Sequence, residues 1–191
     1  MDYIRQSLSE DEHLIHIARF HWMYTVQATF NVIFGIVLSI TILIFAIKYQ
    51  PMMFGGGVAY PEGMSFIDKI RILHPGLKIL SFFVFVMGLL KFAQMMIIKA
   101  TTEIGITDIR LVYKRGLVAR AVGEINIDRI EGVNVIQGIF GRLFGYGRVM
   151  VRGMGVGEVV LPPVAQPIRF KKAIEKARSV AKKKMTGQYT P

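Results

Sequence analysis

Residues 24–47 read YTVQATFNVIFGIVLSITILIFAI, with no Asp, Glu, Lys, Arg or His among them. As an α-helix this stretch is about 36 Å long, enough to cross a hydrocarbon core of about 30 Å. A second apolar stretch, residues 76–98 (GLKILSFFVFVMGLLKFAQMMII), has the same reach and is interrupted by Lys78 and Lys91. Lys78 lies near one end. Lys91 sits about 10 Å from Ile98 along a helix, so its long stem can carry the ammonium to the interface. Snorkelling is the preferred reading of this one intramembrane charge, the alternative being a functional buried cation.

These two stretches account for an unusual composition. Of 191 residues, 52% are hydrophobic and 19% charged, yet Lys and Arg (24) outnumber Asp and Glu (13) to leave a net charge of +11. An average soluble domain carries about 25% charged residues. A chain this oily and this basic places its apolar excess away from water. The absence of Cys excludes disulfides, thiolate metal sites and a cysteine nucleophile. The apolar content excludes global disorder.

Residues 1–23 carry Asp2, Glu10, Asp11 and Glu12 and lack the short basic start of a signal peptide, so both spans are expected to be retained. Leu14, Ile15, Ile17, Ala18, Trp22 and Met23 are spaced loosely as one helical face, which makes this segment an interfacial lead-in; Trp22 and Tyr24 suit the headgroup level. His13, His16 and His21 lack the further ligands that would complete a metal set, and no metal is expected. The expected organisation is therefore a lead-in (1–23), a transmembrane hairpin (24–98, with an external loop 48–75), a folded unit (99–181) and a basic flexible tail (182–191). Within the loop, residues 66–73 form a short amphipathic helix ended by His74-Pro75. Lys and Arg number two in 1–23, three in 48–74 and seventeen in 99–191. The positive-inside rule then puts both termini in the cytoplasm.

Beyond Thr101 the apolar period changes to two. Ile104 and Ile106 alternate with small or polar neighbours, Leu111-Val112-Tyr113 leads into a turn at Lys114-Arg115-Gly116, and Leu117 to Val122 is the hairpin partner. Ile125 and Ile127, Val133 and Val135, and Val149 and Val151 continue the pattern; Gly145-x-Gly147 and Gly153-x-Gly155-x-Gly157 are turns, and Pro162-Pro163 ends the last strand. Such short alternating strands predict a sandwich or small barrel. Phe170, Ile174, Ala177 and Val180/Ala181 then form one apolar stripe, with Pro167 in the first turn: a closing amphipathic helix.

Residues 101–177 resemble the bacterial pleckstrin-homology-like (PH-like) domain found next to membrane spans. The resemblance rests on Thr107-Asp108-Ile109-Arg110-Leu111-Val112-Tyr113-Lys114-Arg115-Gly116-Leu117, on Ile125 to Val133, and most specifically on Gln137-Gly138-Ile139-Phe140-Gly141-Arg142-Leu143-Phe144-Gly145-Tyr146-Gly147. Leu8-Ser9-Glu10-Asp11-Glu12 and His21-Trp22 resemble the lead-in of such proteins. Gly138 and Gly141 depart from the family pattern and argue against a regular helix around Ile139-Phe140. The resemblance implies a membrane α+β protein: a two-helix transmembrane hairpin followed by a seven-stranded, partly open β-barrel with a C-terminal capping helix, in the bacterial inner membrane. It implies no settled activity.

Residues 99–191 contain neither His nor Cys, and their acids are scattered between strands, so no catalytic constellation is legible and the chain is expected not to be an enzyme. No cofactor is expected. What remains is charge, 17 basic against 7 acidic residues over that segment. A tethered domain gains about 1 kcal/mol per basic residue close to an anionic leaflet. The candidate lipid- or partner-binding cations are Arg110, Lys114, Arg115, Arg120, Arg142, Arg148 and Arg152; the candidate partner-contact loop offers Phe140, Leu143, Phe144 and Tyr146. The expected function is a membrane-anchored adaptor or accessory subunit that presents the PH-like domain to a protein partner or to its own copies. The alternative is a sensor of anionic phospholipid. Nucleic acid is disfavoured, because the aromatics are not interleaved with basic residues as stacking platforms.

Overall fold

The computed structural model describes residues 3–53, 60–61, 63–116, 121–155 and 157–185. The chain divides into two units, Thr25–Met96 and a second formed by Met1–Tyr24 together with Ile97–Pro191.

The first unit is helical. Helix α2 (Trp22–Met53) and helix α4 (Pro75–Thr101) outrun the expected 24–47 and 76–98 at both ends, and each is long and apolar enough to cross a membrane. Only 11% and 6% of their most apolar windows is buried, where a soluble core helix would be mostly enclosed. Phe30, Phe34, Phe45, Phe82 and Phe83 all face outward. The two helices meet through small and polar residues. A Cβ at Gly88 would stand 2.9 Å from the Asn31 carbonyl oxygen and 3.1 Å from Gly35 Cα, so the backbones touch where only glycine fits. Beside this contact the Ser39 and Ser81 hydroxyls lie 2.8 Å apart, and Ser81 donates to the Ser39 carbonyl at 3.0 Å. At the other end the His74 N–H donates to Gln50 Oε1 at 2.9 Å. The expected amphipathic helix is α3 (Phe66–Ile72), and Pro75 opens α4 rather than merely ending α3. Lys91 is exposed on α4 and makes no ion pair among the described residues.

The second unit begins before the long helices. After α1 (Tyr3–Gln6), residues Leu14–Ala18 form strand β1, not the expected helical lead-in. β1 pairs antiparallel with β2 (Glu103–Thr107), Ala18 opposite Ile104. The apolar residues of 14–18 are held by a partner that lies far away in sequence, and this pairing overrides their loose helical spacing. β3 (Arg110–Arg115) and β4 (Ala121–Asn126) complete a sheet of order β1-β2-β3-β4. Lys114 and Arg115 belong to β3, opposite Val122 and Ala121, not to the expected turn; residues 117–120 of the expected partner strand 117–122 lie outside the described residues. A 3-10 turn at Ile127–Arg129 leads into the second sheet: β5 (Ile130–Ile136), β6 (Tyr146–Gly153) and β7 (Gly157–Val160), with the two-residue β8 (Val164–Ala165) also on β6.

Among the described residues the architecture is thus eight strands in two sheets, one strand more than the seven of the expected partly open barrel. One corner is stitched by Phe20, which runs on from β1 to bridge Val164, while the Ala165 N–H donates to the Arg19 carbonyl at 2.9 Å. The core lies between the sheets under helix α6 (Pro167–Met185). Val149 and Val151 alternate inward with Arg148 and Arg152 outward, and Phe170, Ile174 and Ala177 fill the sheets' open face. Burying Phe170 alone is worth about 3 kcal/mol. α6 runs four residues past the expected domain end at 181; residues 186–191 of the expected tail lie outside the described residues.

Candidate functional site

The seven candidate cations separate into three groups. Arg110 is committed to structure. Its Nε and Nη2 donate to Glu12 Oε1 and Oε2 at 2.9 and 2.8 Å, Nη2 also reaches the Ser7 carbonyl at 2.8 Å, and Nη1 donates to Glu124 at 2.7 Å. The Glu12 side chain is 1% exposed. Burial pushes its carboxyl up, but hydrogen bonds from Arg110 and the Ser9 N–H outweigh burial and hold it below the ordinary range. The hydrogen bond to Glu12 in turn raises the pKa of Arg110. The spacing of Thr107 and Arg110 has a mechanical reason. The Thr107 hydroxyl accepts from the Arg110 N–H and donates to the Arg110 carbonyl, both at 2.9 Å, and this closes the β2–β3 turn. The upstream Glu12, singled out only as part of a lead-in, is the partner that completes the device.

Lys114 is likewise engaged. It lies 3.7 Å from Glu103 and 4.6 Å above the Tyr3 ring, so it fastens α1 to the sheet. Arg152 pairs with Glu158 across the β6–β7 hairpin, its Nε donating at 3.0 Å, and that hydrogen bond raises its pKa. Arg120 lies outside the described residues.

Arg115 and Arg148 are different. Both are exposed, neither makes an ion pair among the described residues, and both line one cleft of about 730 Å³. The rest of its wall includes Tyr24 near the start of α2, Ile97, Ile98 and Thr101 from the end of α4, and Tyr113. Two guanidinium groups therefore share a cavity with apolar side chains and with the ends of both long helices. Arg142, on helix α5 (Ile139–Phe144), stands apart and lines a second depression with Lys171 and Lys172.

α5 is a regular turn of helix, contrary to the expectation from its glycines. Gly141 permits it, because a Cβ there would stand 2.7 Å from the Tyr146 carbonyl oxygen; Gly145 ends it with φ 74°. Gln137 Nε2 ties the turn down by donating to the Gly141 and Tyr146 carbonyls at 3.3 and 3.0 Å. Phe140, Leu143 and Phe144 are exposed, and Ile139, which sequence reasoning left out, is the most exposed of the four. Tyr146 faces inward and stacks on His21, with centroids 5.3 Å apart. His21 is occupied again at Nδ1, which accepts the Met23 N–H at the start of α2, and His16 packs on Phe170. The three histidines therefore do not converge.

Two antiparallel sheets closed by a C-terminal helix, with cations at the strand ends, define a PH-like module; here it is interrupted after its first strand by two long apolar helices. The family model described as the bacterial PH domain matches residues 14–178, starting at the first residue of β1, and the chain belongs to that family. No curated protein and no solved structure matches it.

Proposed function

We propose that the chain is a non-enzymatic protein of the bacterial inner membrane that holds a PH-like module at the cytoplasmic face to bind anionic phospholipid headgroups. The observation that carries this is the cleft shared by Arg115 and Arg148 with Tyr24, Ile97 and Ile98. If α2 and α4 cross the bilayer, the ends of both helices lie at headgroup depth, and so do the two unpaired guanidinium groups beside them. Arginine forks suit phosphate oxygens, and each basic residue near an anionic leaflet contributes about 1 kcal/mol. The pairing of β1 with β2 supports a two-crossing hairpin: strands in one ladder lie on one side of a membrane, so the chain between them crosses an even number of times. The basic excess after residue 99 supports a cytoplasmic location.

The test uses the full chain in mixed micelles of phosphatidylethanolamine and phosphatidylglycerol, with retained lipid read by native mass spectrometry. The wild type retains phosphatidylglycerol preferentially. Arg115→Glu with Arg148→Glu loses that preference, and Arg152→Glu, whose arginine is already paired, keeps it. Equal retention by wild type and double variant refutes the reading.

A second reading, an adaptor or accessory subunit, is favoured by the sheet edges: β4 and β7 are each paired on one side only among the described residues. Unpaired edges are docking templates. Co-purifying subunits or a homo-oligomer in mild detergent would support it, and a clean monomer would count against it.

A further inference from the structure

An amphipathic helix on a soluble domain turns its apolar side inward. α5 does the reverse. Its glycine face, at Gly141, lies against the backbone of Tyr146, while Ile139, Phe140 and Leu143 are 86%, 67% and 74% exposed. Three large apolar side chains held outward on a helix pinned by Gln137 need a covering, and large exposed apolar patches mark interaction surfaces. The covering is indicated by Trp22. This residue begins α2, is 55% exposed, and meets the Phe144 ring edge-on at 5.9 Å. The apolar side of α5 is therefore continuous with the start of a helix apolar enough to enter a bilayer. Arg142, on the same helix, is placed to reach phosphates at its margin.

We propose that α5 is a membrane wedge: Ile139, Phe140 and Leu143 insert into the headgroup–acyl boundary of the leaflet that α2 leaves at Trp22. This rests on the reading that α2 crosses a membrane. A tryptophan at a helix end sits at the lipid–water boundary, and short apolar faces bury to about 5–10 Å below it. The wedge would be a contact separate from the α2–α4 hairpin, one that holds the module against the membrane surface.

The chain has no Cys, so single-cysteine variants report one position each. Phe140→Cys, Leu143→Cys, Ile33→Cys and Lys176→Cys are made in the full chain, carry a spin label, and are reconstituted in phosphatidylethanolamine–phosphatidylglycerol vesicles. All four side chains are exposed, so folding is retained. Collision with oxygen, which concentrates in lipid, is compared with collision with a water-soluble nickel chelate. Positions 140 and 143 are expected to follow Ile33→Cys, with oxygen favoured at least threefold over the ratio at Lys176→Cys. If Ile33→Cys is lipid-exposed but positions 140 and 143 follow Lys176→Cys, the wedge is overturned and the anchor stands. If positions 140 and 143 are shielded from both reagents, a protein covers α5 and the wedge is equally overturned. If Ile33→Cys is itself water-exposed, the membrane reading fails and takes the wedge with it.

Discussion

Arg110→Ala removes a guanidinium that makes three hydrogen bonds to carboxylate oxygens and one to a backbone carbonyl. The arm to Glu124 is solvent-accessible and is worth under about 1 kcal/mol. The arm to Glu12 decides the outcome, because Glu12 is buried and cannot turn to water when its partner goes. Breaking a buried pair from one side costs about 3–5 kcal/mol. Arg110 itself is 20% exposed, which places the effect near the lower end, about 3 kcal/mol. That corresponds to more than a hundredfold. The loss should be local, since Arg110 ties residues 7 and 12 to β3. The assay is amide hydrogen exchange on the full chain in detergent. Exchange across residues 3–18 should accelerate about a hundredfold, while α4 is unchanged. Glu12→Gln combined with Arg110→Ala should recover part of the protection, because no uncompensated charge is left buried. Unaltered exchange at β1 in Arg110→Ala, or additive losses in the double variant, would refute the claim that this pair fastens the first strand.

The same pair makes stability pH-dependent. The folded-state pKa of Glu12 is depressed, so its contribution is present above the unfolded carboxyl value of about 4.3 and is lost as pH falls through the lower folded value. Between pH 6 and pH 3, roughly, the melting temperature of the wild type should fall more than that of Glu12→Gln; parallel curves would sink this prediction. In the helical unit, Gly88→Val forces a side chain against the Asn31 carbonyl and Gly35, and should cost about 1–3 kcal/mol, seen as earlier loss of helical circular dichroism on heating in detergent. An unaltered melt would mean that the backbones do not touch there. Phe170→Ala should destabilise the sheet unit by about 3–5 kcal/mol, read as lost exchange protection in β5 and β6, and a change below about 1 kcal/mol would contradict its central place in the core.

What the sequence displays and what it hides follow from distance along the chain. The two apolar helices, the inward valines of β6 and the stripe on α6 are written locally, as composition or period, and could be read directly. β1 is not. Leu14-Ile15-His16-Ile17-Ala18 is short, is shielded by its neighbours rather than cleanly alternating, and gains its identity from β2 across the whole helical insertion. The site obeys the same rule. Seven cations were equal candidates by composition, and only their partners separate them: Glu12, 98 positions from Arg110, and Glu103 and Glu158 for Lys114 and Arg152. The outward side of α5 is half legible, since Phe140, Leu143 and Phe144 stand out, while Gly141, one of the two glycines that argue against a regular helix, is what lets it lie close to the Tyr146 backbone.

The position of β1 ahead of the hairpin has a consequence for biosynthesis. At about 5–20 residues per second the ribosome needs on the order of ten seconds to make the chain between β1 and β2. Until then the N-terminal segment waits as an edge without a mate. If the two helices cross a membrane as proposed, a hairpin only half inserted leaves that strand on the far side of the barrier from β2. On that proposal, completion of the sheet reports that both helices are inserted, and a half-inserted chain carries an orphaned strand open to proteolysis.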